Sequence, residues 1–144
     1  MIHRHVISRI FLLMELLRKI SINLNESWLD ARRNLDMRIG LLETDVLYDD
    51  LIKQYGSYGL MFEQYFTQLE YASLELEFVY YQVQQGELPL FLDECDAYVI
   101  TGSKAGAYED HAWIEPLSKW IVEADKAQAK VLGVCFGHQI IAQA

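Results

Sequence analysis

From Val131 to Ala144 the chain reads VLGVCFGHQIIAQA, and few folds can accommodate that stretch. A short apolar run with the pattern of a buried strand passes through a tight turn into residues that begin a helix. Gly133 and Gly137 bracket the turn, with Cys135 between them. Having no Cβ, the glycines allow the turn to pack closely against neighbouring strands and leave the cysteine open to a ligand. A buried strand that runs straight into a helix belongs to an α/β domain with helices over its sheet.

The sequence upstream fits that reading from Met37 onward. MRIGLLETD carries a buried-strand pattern over Ile39–Leu42 that ends in polar residues. In SYGLMFEQYFTQLE, Phe62, Tyr65, Phe66 and Leu69 share one helical face, with Ser57 placed to cap the helix. LELEFVYYQV alternates Leu74, Leu76, Phe78 and Tyr80 with Glu75, Glu77, Val79 and Tyr81, the pattern of a strand near a sheet edge. After the irregular link GELPLFLDECD, AYVIT (97–101) reads as a compact buried strand followed by the glycine-containing loop GSKAGAYED. Ile114, Leu117, Ile121 and Ala124 then lie on one face of a helix, with Pro116 tolerable near its first turn. The order βαβ, link, βαβ, then a further helix predicts a doubly wound parallel α/β sheet with helices on both faces and ligands at the carboxyl ends of its strands.

Charge divides the chain at the same methionine. Residues 1–36 carry a balance of +2 and residues 37–144 one of −11, within a total of −9. The expected organisation is an N-terminal extension outside the fold (1–36), made of an amphipathic helix over residues 6–20 and a polar linker, followed by the α/β domain (37–144). The acidic body repels nucleic acid and anionic membrane, so neither is an expected partner. Arg9, Glu15, Arg18 and Lys19 interrupt the N-terminal apolar stretch, which therefore does not read as an export signal. Cys95 and Cys135, with no CxxC and no Cys/His ligand spacing, indicate neither a disulfide framework nor a metal site and suit a reducing cytoplasm. No phosphate-binding GxxxxGK[ST] loop is present, and no cofactor is expected.

Gly133-Val134-Cys135-Phe136-Gly137 has the G-x-nucleophile-x-G form of a nucleophile elbow, a strained turn that lifts a reactive side chain above the sheet. Amides at the start of a helix also favour a thiolate over a thiol. A lone cysteine is most often a small core residue. Cys95, between acidic residues, keeps that bland reading; Cys135, glycine-flanked after a buried strand, does not.

The sequence GVCFGHQ resembles the active-site motif of class I glutamine amidotransferases. DAYVITGSKAGAYED resembles the loop that supplies the other half of that family's oxyanion hole. The resemblance covers residues 37–144 and is closest to small stand-alone proteins related to the glutaminase domain of GMP synthase. It implies a flavodoxin-like sheet and attack by Cys135 on the side-chain amide of glutamine, releasing ammonia through a glutamyl thioester. The oxyanion would be held by the backbone amide of Phe136 and that of Gly102 or Ser103, with Gly133, Gly137, His138 and Gln139 supporting the elbow and the substrate site. The ammonia would pass to a synthase or ligase partner.

Members of that family complete their triad with a His-x-Glu pair downstream of the cysteine, and this sequence has none there. The expectation is therefore a truncated domain, its C-terminal half missing, with little glutaminase activity alone. His111 is the one substitute base to nominate, although it reads more simply as a solvated residue at a helix start. A thiol-bearing binding or regulatory module without catalysis is the alternative. Protease-like members of the wider cysteine-elbow superfamily are a further one, disfavoured by the GHQ that follows Cys135.

Overall fold

A computed structural model describes residues 37–68 and 75–144, which belong to one compact unit, Asp36–Ala144. The sequence-predicted N-terminal helix and linker, together with Leu69 and Leu74, lie outside the described residues. Among the described residues four strands form one sheet: β1 (Met37–Glu43), β2 (Leu76–Gln82), β3 (Ala97–Ile100) and β4 (Val131–Gly133). Their order is β2-β1-β3-β4 and every pairing is parallel. That is the start of the flavodoxin-like order, with β1 central and the chain crossing over it after β2.

Helical segments accompany the strands: α1 (Asp49–Tyr55), α2 (Tyr58–Gln68), a single 3-10 turn (Val83–Gln85), α3 (Ile114–Lys126) and α4 (Phe136–Gln143). Ser57 accepts the Leu60 amide at 3.1 Å and so caps α2 as its side chain suggests. On one face of the sheet α2 covers β2, with Phe66 stacked on Phe78 at 6.3 Å. On the other face, α3 and α4 bury Leu117, Ile121, Ala124, Phe136 and Ile140 against Leu42, Tyr98 and Ile100. Trp120 joins them, edge-on to Tyr98 at 5.0 Å.

Two details differ from the pattern read in the sequence. Helix α1 has no buried residue, so it leaves no apolar stripe to detect. In β2 the face that looked partly charged carries Tyr81, which belongs to the main core with Val79 packed beside it. Helix α2 covers one face of β2 and Glu94 and Cys95 of the following link meet Tyr81 on the other, and only Glu77 of the described strand is fully exposed, paired with Arg38 at 3.0 Å.

The register aligns the carboxyl ends of all four strands. Glu43 lies opposite Gln82, Leu42 opposite Ile100, and Ile100 opposite Gly133. The residues that follow each strand therefore emerge along one edge: Thr44 and Asp45, then Gln84, then Gly102 and Ser103, then Cys135.

Candidate active site

Cys135 sits between β4 and α4 with φ 52° and ψ −106°, a conformation that side-chain-bearing residues seldom adopt. It is the N-cap of α4, and its carbonyl accepts the Gln139 amide at 3.1 Å. The turn is held by backbone contacts. Val134 N–H donates to the Ile100 carbonyl and Gly137 N–H to the Val134 carbonyl, both at 2.9 Å. A Cβ on Gly133 would collide with the backbone of Gly137 and His138, and one on Gly137 would collide with the Ile100 carbonyl. Both glycines are thus required by the closeness of main chain to main chain.

The loop after β3 approaches the elbow from the neighbouring strand. A methyl group added to Gly102 would lie 3.7 Å from Cys135 Cβ. Phe136, first residue of α4, is buried against Trp113 at 5.5 Å, and its amide has no intrahelical acceptor at that position. Gly102 and Phe136 therefore flank the cysteine from two sides. Ser103 Oγ donates to the Thr44 carbonyl at 3.0 Å and accepts the Ala105 amide at 3.1 Å. His138 and Gln139 lie on the exposed side of α4.

Hydrogen bonds between the β1 and β3 ends fix this loop. Thr44 N–H donates to Thr101 Oγ1 at 3.0 Å, and Thr44 Oγ1 lies 3.1 Å from the carbonyl oxygens of both Thr101 and Gly102. Both threonines are fully buried. Asp45 adds a second tie: its carboxylate accepts the Val46 amide at 2.7 Å and the Lys104 amide at 2.6 Å, with Lys104 Nζ at 3.4 Å. Lys104 also lies over the Tyr48 ring, 4.2 Å from its centre. On the far side of β1 the buried Glu43 carboxylate accepts the Gly59 amide and the Gln82 side-chain amide, pinning the start of α2 to the sheet. This brings Tyr58 toward the site. Burial pushes its phenol up to about 12, with further contributions from Asp45, Tyr48 and Cys135.

An open cleft of about 330 Å³ lies among the loops that follow β1, β2 and β3. Asp45 lines it from the β1 loop, Gln84 from the turn after β2, Ser103 and Lys104 from the β3 loop, and His111 and Trp113 from the approach to α3. His111 stacks on Trp113 and is paired with Glu109 at 2.8 Å, a bond that holds the Glu109 carboxyl below the usual carboxylate range. The side-chain nitrogen of Gln84 is buried without a hydrogen-bond acceptor among the described residues. No His/Cys/Asp/Glu cluster suited to a metal ion occurs among the described residues. Cys95 lies in the core near Tyr81, and burial raises its thiol pKa.

Sequence reasoning looked for site residues after β3 and β4 and did not name Asp45 and Gln84, which line the cleft after β1 and β2. The signal was available. In a parallel sheet the residues that follow every strand reach the same edge, which points to Asp45 and Gln84 as readily as to Gly102 and Cys135.

No family model matches the chain. A Schizosaccharomyces pombe protein named as glutamine amidotransferase-like is 33% identical over 119 residues, 76% of this chain and 48% of that protein. Gamma-glutamyl peptidase 4 of Arabidopsis thaliana is 42% identical over 66 residues, 44% of this chain and 26% of that protein. Gamma-glutamyl peptidase 3 of the same plant is 38% identical over 91 residues, 62% of this chain and 34% of that protein. The chain thus spans about half or less of the length of these relatives. A solved glutamine amido transferase from Methylobacillus flagellatus aligns with 76% of this chain and 39% of its own, at 15% identity and a TM-score of 0.49. By these sequence relationships, the chain is similar to glutamine amidotransferase-like proteins and gamma-glutamyl peptidases over the part of them that it spans.

Proposed function

We propose that residues 37–144 form part of a class I glutamine amidotransferase-like domain in which Cys135 is the nucleophile toward a γ-glutamyl amide. The observation that carries this reading is the backbone of Cys135. A side-chain-bearing residue at φ 52°, held at a helix start by two glycines, is stored strain of the kind found where a side chain must be presented to a substrate. The Cys135 thiolate attacks the side-chain carbonyl carbon of glutamine, forming an S–C bond. The C–N bond then breaks, and the nitrogen departs as ammonia carrying the proton taken from the thiol. Water next hydrolyses the thioester and returns glutamate. The amide of Phe136 and that of Gly102 or Ser103 are the donors for the oxyanion, each worth about 3 kcal/mol in such sites. His138 and Gln139, exposed on α4, serve the substrate side of the elbow. The ammonia goes to a synthase or ligase partner, and two free cysteines suit a reducing cytoplasm.

A second reading, a thiol-bearing binding module without turnover, is favoured by one observation. Of the described histidines, His138 is exposed and His111 is engaged with Glu109, so neither is seen as a base for Cys135. A glutamine-mimicking affinity label separates these readings from a plain core thiol. It should alkylate Cys135 and spare Cys95, with glutamine protecting, as read by peptide mass spectrometry. Equal labelling of both cysteines, or labelling that glutamine leaves unchanged, would refute a formed γ-glutamyl site.

A further inference from the structure

A run of apolar residues, Leu88 to Leu92, crosses the link between β2 and β3, and its members divide sharply. Leu88 and Leu92 pack on the core and Pro89 is buried, whereas Leu90 is 87% exposed and Phe91 68%. No other consecutive pair of large apolar side chains among the described residues is as open. This is not the exposure of a loose loop, because hydrogen bonds fix the main chain on both sides. Glu87 N–H donates to the Gln82 carbonyl at 3.2 Å, and the Glu87 carboxylate accepts the Gln82 amide at 3.0 Å. The Glu94 carboxylate accepts the Phe91 amide and the Tyr81 hydroxyl, both at 2.8 Å, and these bonds hold it below the usual carboxylate range. Tyr98 Oη donates to the Leu92 carbonyl at 3.1 Å and accepts the Cys95 amide at 3.2 Å. Arg38 N–H donates to the Asp96 carboxylate at 2.8 Å. That bond ties the end of the link to the amino end of β1, the edge opposite the one along which Cys135 emerges.

Leaving Leu90 and Phe91 in water forgoes burial of the kind that drives folding. A main chain already ordered by hydrogen bonds loses little further entropy when a partner covers it. An aromatic side chain inside a polar rim is a common anchor of protein interfaces. The rim here has one sign. From Val83 to Ala97 the chain carries Glu87, Asp93, Glu94 and Asp96 and no Lys or Arg. We infer that this knuckle is a docking site for a partner protein, which meets it with a segment of apolar side chains interspersed with Lys or Arg. The apolar side chains cover Leu90 and Phe91, and the cations face the carboxylates. A second copy presents the same carboxylates on a body of net charge −11, so like charges oppose self-pairing through this face. The docking site does not depend on the chemistry proposed for Cys135.

Panning a displayed library of short random peptides against the full chain tests it. Enriched peptides should combine Trp, Phe or Leu with Lys or Arg. Their affinity for the full chain, read by fluorescence anisotropy, should fall about tenfold for Phe91→Ser and about threefold for Leu90→Ser. Asp93→Lys should weaken them about threefold, as should raising salt from about 0.05 M to about 0.5 M. All three positions are exposed, so denaturant midpoints and the reactivity of Cys135 should match those of the unmodified chain. A library that yields no Phe91-dependent binder, or one whose Phe91-dependent binders lack Lys and Arg, would overturn the docking site. Sedimentation of the full chain adds the other occupants to the test. A dimer that Phe91→Ser dissolves would assign the face to a second copy and overturn the inference. Phe91-dependent binding to phosphatidylcholine vesicles would overturn it in favour of a lipid surface.

Discussion

Gly133, Gly137 and Cys135 illustrate how differently neighbouring residues can be constrained. Gly137→Ala would drive a methyl group into the Ile100 carbonyl, and Gly133→Ala would drive one into the backbone of the elbow helix. Because backbone cannot turn aside, each should lose about 3 kcal/mol in denaturant titration. Gly86, at φ 86° with nothing within 4 Å of an added Cβ, meets only the conformational penalty, so Gly86→Ala should lose about 1 kcal/mol. Cys135→Gly should have the opposite sign. Relief of its backbone strain is expected to raise stability by about 1 kcal/mol while abolishing the affinity-label reaction. A stabilised Cys135→Gly chain would identify the strain as functional; an unchanged or weakened one would show that the surrounding turn tolerates Cys135 at no energetic disadvantage.

The elements were legible in proportion to the regularity of what they bury. Helix α3 buries Ile114, Leu117, Ile121 and Ala124, and that stripe is present in the sequence. Helix α1 buries nothing and has no stripe. β2 was readable as an edge strand, but the assignment of its faces failed at Tyr81, because alternation shows which residues share a face and not how thickly each face is covered. The elbow and the Gly102 loop were legible because they are continuous in sequence. The cleft was not, since Asp45, Gln84 and Lys104 meet only through strand register. The tie between the ends of β1 and β3 belongs to this scale too. Thr44→Val removes a hydroxyl from a buried network with Thr101 and Gly102, and should lower stability by about 2 kcal/mol while slowing alkylation of Cys135. Loss of stability with unchanged alkylation would show that the network supports the sheet and not the loop.

At the scale of the whole molecule, pH reports on the core. Burial pushes the phenols of Tyr58 and Tyr98 up to about 12 and that of Tyr81 higher still. Each holds its proton more tightly in the folded chain than in the unfolded one, where a tyrosine titrates near about 10. The folded state therefore binds more protons, and this contribution to stability is complete below about pH 10 and lost as pH rises through about 12. The buried Cys95 thiol is raised in the same way from a lower ordinary value, so denaturant midpoints should begin to fall near about pH 8.5 and fall more steeply beyond about pH 10. Turnover needs a base at the thiol, and of the described histidines His138 is exposed on α4 while His111 is held by Glu109. The 144-residue chain should release ammonia from glutamine about 100- to 10 000-fold more slowly than an enzyme with its base in place, as read in a coupled ammonia assay. Strand order has a further consequence, in time. β1 pairs with residues 39 positions away in β2 and 58 away in β3, and the elbow closes on Ile100 of β3, so the central strand is matched only across long stretches of chain. Such distant pairings form slowly. Cys135 acquires its positive-φ posture only when Gly137 docks on the finished β3, so during folding it passes as an ordinary residue until the sheet that presents it exists.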